Sequence, residues 1–187
     1  MAFAAFAITR ADAQGVDVSS GTRLESVMAS IRARDPKAAP ALAAQFGSET
    51  QPGIRAWLVR GVAGLDAAGG AVLARKALSD ASPLVRMAAA EALAKADGAK
   101  AVPDLAAALA GEKNAGVRHN IVSWLGEIKT AASRAALQQA LAGDSDPNVR
   151  VQAARSLQRH GSSVARSAVK NAKNDPDPRV RAIANEP

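Results

Sequence analysis

The sequence contains no cysteine and no tyrosine, and its aromatic complement is two tryptophans and three phenylalanines in 187 residues. The missing cysteine excludes disulfides, thiolate metal sites and cysteine nucleophiles, and it leaves the redox compartment open. His119 and His160 are the only imidazoles, so acid–base and metal chemistry have a narrow pool to draw on. Hydrophobic residues make up 48% of the chain while aromatics make up 3%, so a core has to be filled by Ala, Leu and Val. Ala is the best helix former and lets neighbouring backbones approach, which points to an all-α protein of closely packed helices.

Lys and Arg outnumber Asp and Glu by 24 to 17, a net charge of +7. That excess permits acidic partners: a nucleic acid, an anionic lipid surface or an acidic protein. Residues 1–15 read differently from the rest. An apolar run from Ala2 to Ile8 leads through Thr9 and Arg10 to Ala11-Asp12-Ala13. This resembles the end of a secretory signal peptide without the usual basic start, and the alternative is a frayed apolar N-terminus. The first reading implies export to the periplasm and the second a cytoplasmic protein. No other segment is long enough to span a bilayer.

What the sequence does have is a repeat. Pro83-Leu84-Val85-Arg86 returns as Pro147-Asn148-Val149-Arg150 and Pro178-Arg179-Val180-Arg181, with weaker echoes at Ala115-Gly116-Val117-Arg118 and Pro52-Gly53-Ile54-Arg55. The arginines are spaced by 31, 32, 32 and 31 residues, and one interval back stands Arg23. Six residues before each is an acid: Asp17, Glu49, Asp80, Glu112, Asp144 and Asp175. A third row, Leu42, Leu73, Leu105, Leu137 and Val169, marks the other half of each unit. Apolar residues after each arginine recur at the three-and-four spacing of a buried helical stripe, as in Val85, Ala88, Ala89, Ala92 and Leu93. Prolines suit a first helical turn, and the short polar stretches before them suit caps and turns. The unit is therefore helix A, turn, helix B, and residues 16–187 hold about six of them with the last one incomplete.

The string Asp-x-x-Pro-x-Val-Arg-x-x-Ala-Ala-x-Ala-Leu, seen from Asp80 to Leu93, resembles HEAT repeats of the phycobilisome-lyase type. The resemblance covers roughly residues 17–187, strongest from Asp80 to Arg181 and weakest in the first unit, where Thr22 replaces the Val. It implies a right-handed α-solenoid of antiparallel helix pairs. It also implies that the acid and the arginine join adjacent repeats, so that Asp17, Arg23, Glu49, Arg55, Asp80, Arg86, Glu112, Arg118, Asp144, Arg150, Asp175 and Arg181 are a structural ladder. A guanidinium fork matches a carboxylate in such a joint better than Lys does.

With the ladder set aside, the functional question falls on positions of helix B turned away from the core, which face the concave side of a solenoid. There stand Trp57, Arg60, His119, Asn120, Trp124, Arg155 and Arg159, and Trp and Arg are the residues most enriched in binding hot spots. Toward the C-terminus Arg155, Arg159, Arg166, Lys170, Lys173 and Arg179 form a second basic concentration.

Catalytic signatures are absent. Deoxyhypusine hydroxylases, which resemble this repeat type, carry His-Glu pairs as iron ligands, and here His119 precedes Asn120 and His160 precedes Gly161. Gly61, Gly64, Gly69 and Gly70 follow or end a helix and not a strand, so they form no phosphate loop. The reading is a noncatalytic, monomeric scaffold without cofactor that binds a protein or peptide on its concave surface. Two alternatives come from the same resemblance. One is a nucleic-acid-binding solenoid of the alkylpurine DNA glycosylase kind, on the strength of Trp57, Trp124 and the net charge. The other is bilin-lyase-like cofactor handling, for which no residue marks a chromophore pocket.

Overall fold

A computed structural model describes residues 18–186 of the chain. Eleven α-helices follow one another without a strand among the described residues: α1 (Val18–Arg32), α2 (Ala39–Ser48), α3 (Pro52–Leu65), α4 (Ala67–Ala77), α5 (Pro83–Asp97), α6 (Val102–Gly111), α7 (Ala115–Glu127), α8 (Ala131–Gly143), α9 (Pro147–His160), α10 (Ser163–Asn171) and α11 (Pro178–Ala184). The odd-numbered helices carry the arginine row and are the B helices. The even-numbered ones carry the Leu and Val row and are the A helices. Asp17 and the N-terminal stretch read as a signal-peptide remnant lie outside the described residues.

Local chemistry sets the helix ends. Pro52, Pro83, Pro147 and Pro178 each occupy the first position of a B helix, where the absent N–H has no partner to lose. Asp146 and Asp177 cap α9 and α11 by accepting from the N–H groups of Asn148 and Arg179, and the Asn114 side chain accepts from Val117 on α7. α9 stops at Gly161, whose φ of 73° is the left-handed conformation that glycine adopts without a Cβ penalty. α8 begins with a reciprocal Thr130–Ser133 capping box.

One continuous core runs the length of the array. The B helices supply Val85, Ala88, Ala89, Leu93, Val117, Ile121, Leu125, Val149, Ala153 and Leu157, all essentially inaccessible, and the A helices supply the Leu42, Leu73, Leu105, Leu137 and Val169 row. Each fully buried Leu or Val is worth about 1.5–3 kcal/mol against exposure. Small residues let the helices close up: a Cβ at Gly70 of α4 would overlap the Cα of Ala63 on α3. Gly61 and Gly64 lie within α3, and Gly69 and Gly70 within α4, so these glycines are positions inside helices and not helix ends.

Successive B helices pack extensively on one another, α1 on α3, α3 on α5, α5 on α7, α7 on α9 and α9 on α11, whereas successive A helices touch far less. The B row is therefore the shorter, inner row of the solenoid and the A row the outer one. Function has to be sought on that inner layer, along the edge turns or at the ends.

Candidate interaction surface

The arginine row forms a ladder with a one-unit offset. Arg23 reaches Glu49 at 3.3 Å, Arg55 pairs with Asp80, Arg86 with Glu112 at 2.6 Å, Arg118 with Asp144 at 2.8 Å and Arg150 with Asp175 at 2.8 Å. Each arginine thus pairs with the acid of the following unit, not with the acid six residues before it. That earlier acid contributes its backbone instead. Nη1 of Arg86 donates to the Asp80 carbonyl at 2.8 Å, that of Arg118 to Glu112 at 3.2 Å, and that of Arg150 to Asp144 at 2.9 Å. One guanidinium therefore ties its own turn to the next. Arg181 keeps the backbone bond, to Asp175 at 2.8 Å, but makes no carboxylate pair among the described residues.

The ladder carboxylates are held well. Arg86 hydrogen bonds hold Glu112 below the usual carboxylate range, and Arg150 does the same for Asp175. Burial pushes Asp144 up, but the Arg118 hydrogen bonds and the Asp146 N–H outweigh it and the net shift is downward. These groups are engaged in joining repeats and are not free to meet a ligand.

On the inner layer the residues singled out from sequence fall into three kinds. Arg60, Glu91, Lys95 and Trp124 form one chain across α3, α5 and α7. Arg60 Nε donates to Glu91 Oε2 at 2.7 Å, Lys95 Nζ to Glu91 Oε1 at 2.7 Å, and the Lys95 ammonium sits 5.1 Å above the Trp124 ring. Trp124 itself is partly buried against the core. Glu91 feels burial raising it and the Lys95 and Arg60 hydrogen bonds lowering it, with a net downward shift. Arg159 is likewise engaged, 3.5 Å from Glu127, and Gln152 Nε2 donates to Ser123 at 3.2 Å.

Trp57, His119 and Arg155 are the open members. Trp57 is 39% exposed, an unusual cost for so large an apolar ring. His119 and Arg155 are exposed, and Arg155 has no ion-pair partner among the described residues. Asn120 is partly buried, and its Oδ1 is sequestered without a hydrogen-bond donor. The expectation that Arg159 and Arg179 are free cations is corrected: Arg159 faces Glu127 and Arg179 chelates Asp177 at 2.8 Å, holding that carboxyl at about 2.

Sequence reading missed the Glu91 bridge and the Arg75 junction, where Arg75 on α4 meets both Asp97 and Asp104, the latter at 2.7 Å. The 31-residue offset from Arg60 to Glu91 equals the repeat length and was the available signal. Open grooves lie between A helices; the one between α4 and α6 is lined by Arg75, Asp104, Arg86 and Glu112, all already paired. No group of three or more His, Asp or Glu among the described residues could hold a metal ion, and no helix among them is long and apolar enough to cross a membrane.

A B-helix row packed inside an A-helix row, joined by an inter-repeat acid–arginine ladder, defines an α-solenoid. The chain belongs to the HEAT repeat family, whose pattern it matches over residues 50–120 and 102–186. The match is to HEAT repeats at large, and the phycobilisome-lyase subtype is not distinguished by it. Among solved structures, human deoxyhypusine hydroxylase in complex with glycerol is similar, with a TM-score of 0.53 and 20% identity over 90% of this chain and 78% of that one. At that identity the likeness is one of fold. No curated protein sequence matches the chain.

Proposed function

We propose that this HEAT array is a noncatalytic scaffold that grips a protein or peptide along its inner B-helix layer, with Trp57 and Arg155 as principal contacts. His119, Asn120, Arg60, Trp124 and Arg159 line the same surface. The observation that carries the reading is the exposure of Trp57, one of only five aromatics, at 39% on the inner layer of a core otherwise built from small residues. Exposed aromatic and Arg side chains on a rigid helical layer have the make-up of interface anchors. The bridge from Arg60 through Glu91 and Lys95 to Trp124 fixes the layer's shape before binding, which reduces the ordering cost on association.

A nucleic-acid reading has less support, because Arg60 shares Glu91 with Lys95, Arg159 faces Glu127, and the ladder arginines from Arg23 to Arg150 are paired with the acids of the following units. The test is photo-crosslinking in native lysate with a reactive residue at 57, compared with one at the exposed outer-layer Val72. A specific partner is expected at 57 only, lost in an Arg155→Ala background. Equal labelling at both positions, or indifference to Arg155→Ala, refutes the assignment.

A further inference from the structure

We propose that the occupant of the inner layer is a proline-containing segment in the polyproline II conformation, presenting two apolar side chains three residues apart and an acidic residue beside them; the proposal rests on the inner-layer reading above. Four large apolar side chains are exposed among the described residues: Trp57, Val72, Leu84 and Val164. Two of them are on B helices, Trp57 on α3 and Leu84 on α5, and these stand on neighbouring units with further units on both sides. The floor around the indole is bare. Gly53 and Gly64 lie one and two turns away on the same face of α3, and a Cβ at either would meet nothing within 4 Å.

The spacing of the two anchors selects the conformation. Packed helices lie about 8–10 Å apart, and Leu84 stands one turn nearer the start of its helix than Trp57, an offset of about 6 Å, so the step between them is about 10–12 Å. Three residues of extended chain, at about 3.1–3.4 Å each, nearly cover it, and polyproline II is the extended form that returns the third residue to the same side. A strand turns it to the opposite side. A helix pairs its backbone internally and has no use for a surface donor. The inner layer offers such donors. The Asn120 side chain on α7 makes no hydrogen bond among the described residues, and its Oδ1 is the buried end, which leaves Nδ2 toward the surface beside the exposed His119. A polyproline II backbone has carbonyls without internal partners, and a proline nitrogen carries no N–H in need of an acceptor. Charge completes the fit. Arg60 and Lys95 share the single carboxylate of Glu91, each at 2.7 Å, so the bridge beside Trp57 and Leu84 keeps one surplus positive charge on the exposed Lys95 side. An acidic residue in the segment complements it.

The probes are random twelve-residue peptides displayed on phage, selected on the full chain and counter-selected on Trp57→Ala. Survivors are expected to carry apolar residues three apart, a proline between or next to them, and an Asp or Glu. The strongest is then synthesised with a fluorescein label and titrated by anisotropy. Leu84→Ala should weaken binding about tenfold, since the Leu side chain is half covered before the peptide arrives. Replacing the acid of the peptide by its amide should cost about threefold on the wild type and nothing on Lys95→Gln. Val72→Ala, on the outer layer, should leave binding unchanged. Trp57, Leu84 and Val72 are all exposed, so these variants keep the core intact. An empty selection, survivors patterned at the two-residue spacing of a strand or the three-and-four spacing of a helix, indifference to Leu84→Ala, or a Val72→Ala effect as large as that of Leu84→Ala overturns the proposal. The inner-layer reading stands or falls separately: a partner crosslinked at position 57 when no such peptide is selected removes the polyproline II occupant and leaves that reading in place.

Discussion

Replacing Arg118 by Ala is the sharpest test of what holds the repeats together. The Arg118 guanidinium joins two turns: Nε and Nη2 bind Asp144 at 2.8 and 2.9 Å, and Nη1 donates to the carbonyls of Glu112 and Lys113 at 3.2 and 3.1 Å. Both partners are well covered, the Arg118 side chain being 13% exposed and that of Asp144 7%. Removing the arginine leaves Asp144 ionised and nearly buried, with the Asp146 N–H at 2.9 Å as its remaining hydrogen bond and the more distant Arg150 charge as its remaining electrostatic support. Breaking a buried pair from one side costs about 3–5 kcal/mol, and the solvent at the border of this site sets the value at the lower end, ~3 kcal/mol. For a domain of this size that lowers Tm by roughly 6–12 °C. Thermal melts followed by circular dichroism and by tryptophan fluorescence measure it. Because the ladder links neighbouring units, the two probes should also separate, since Trp57 on α3 and Trp124 on α7 both lie on the N-terminal side of the joint while circular dichroism reports the whole array. Arg75→Ala, at a junction open to solvent, is the comparator and should shift Tm much less. A drop below about 2 °C for Arg118→Ala, or one no larger than that of Arg75→Ala, refutes the view that the ladder is a structural joint.

Two further outcomes follow from the same structure. The carboxyls of Glu112, Asp144 and Asp175 titrate lower folded than unfolded, so the stability they add is complete above their unfolded values of roughly 4 and is lost as pH falls through the depressed folded values. The urea midpoint should stay level from neutral pH down to about pH 5 and then fall, and Glu112→Gln should flatten that fall; a midpoint that rises on acidification contradicts the linkage. Among the glycines, Gly70→Ala should destabilise by about 1–3 kcal/mol, because the new methyl meets the backbone of Ala63, whereas Gly64→Ala, with open space around it, should stabilise by about 0.5–1 kcal/mol; urea titrations in which the two shifts share a sign contradict this packing account.

The repeat and the fold were legible because they are periodic. A 31- to 32-residue spacing of Pro, Val, Arg and Leu needs no knowledge of packing to be seen, and every member of the Leu42 to Val169 row is buried as the helical pattern requires. The ladder's membership was legible but its direction was not. Spacing alone attaches each arginine to the acid six residues back, and only the stacking of units brings the next acid, 25 or 26 residues on, within reach of the fork. The inner layer was harder still. Trp57 and Trp124 occupy similar positions in the pattern, yet Trp57 is exposed while Trp124 packs against the core beneath Lys95. Which of two tryptophans fills a gap depends on the bulk of neighbours across the helix interface, and that is a three-dimensional quantity.

Once the pairs are drawn, the charge excess of +7 falls on cations outside the ladder. The described ladder pairs cancel, Arg60 and Lys95 share Glu91, Arg75 lies between Asp97 and Asp104, and Arg159 and Arg179 have their own acids. What remains is distributed along the array, from Lys76, Lys100 and Lys113 through Lys129 and Arg134 to Arg155 on the inner layer and Arg166 and Lys170 on α10. Salt is therefore a weak lever on both the inner layer and the joints between repeats. Binding anchored by Trp57 rests mainly on apolar burial, which screening does not weaken. The ladder, being partly buried, is screened little, so raising salt should loosen neither the Trp57 contact nor the joints between repeats.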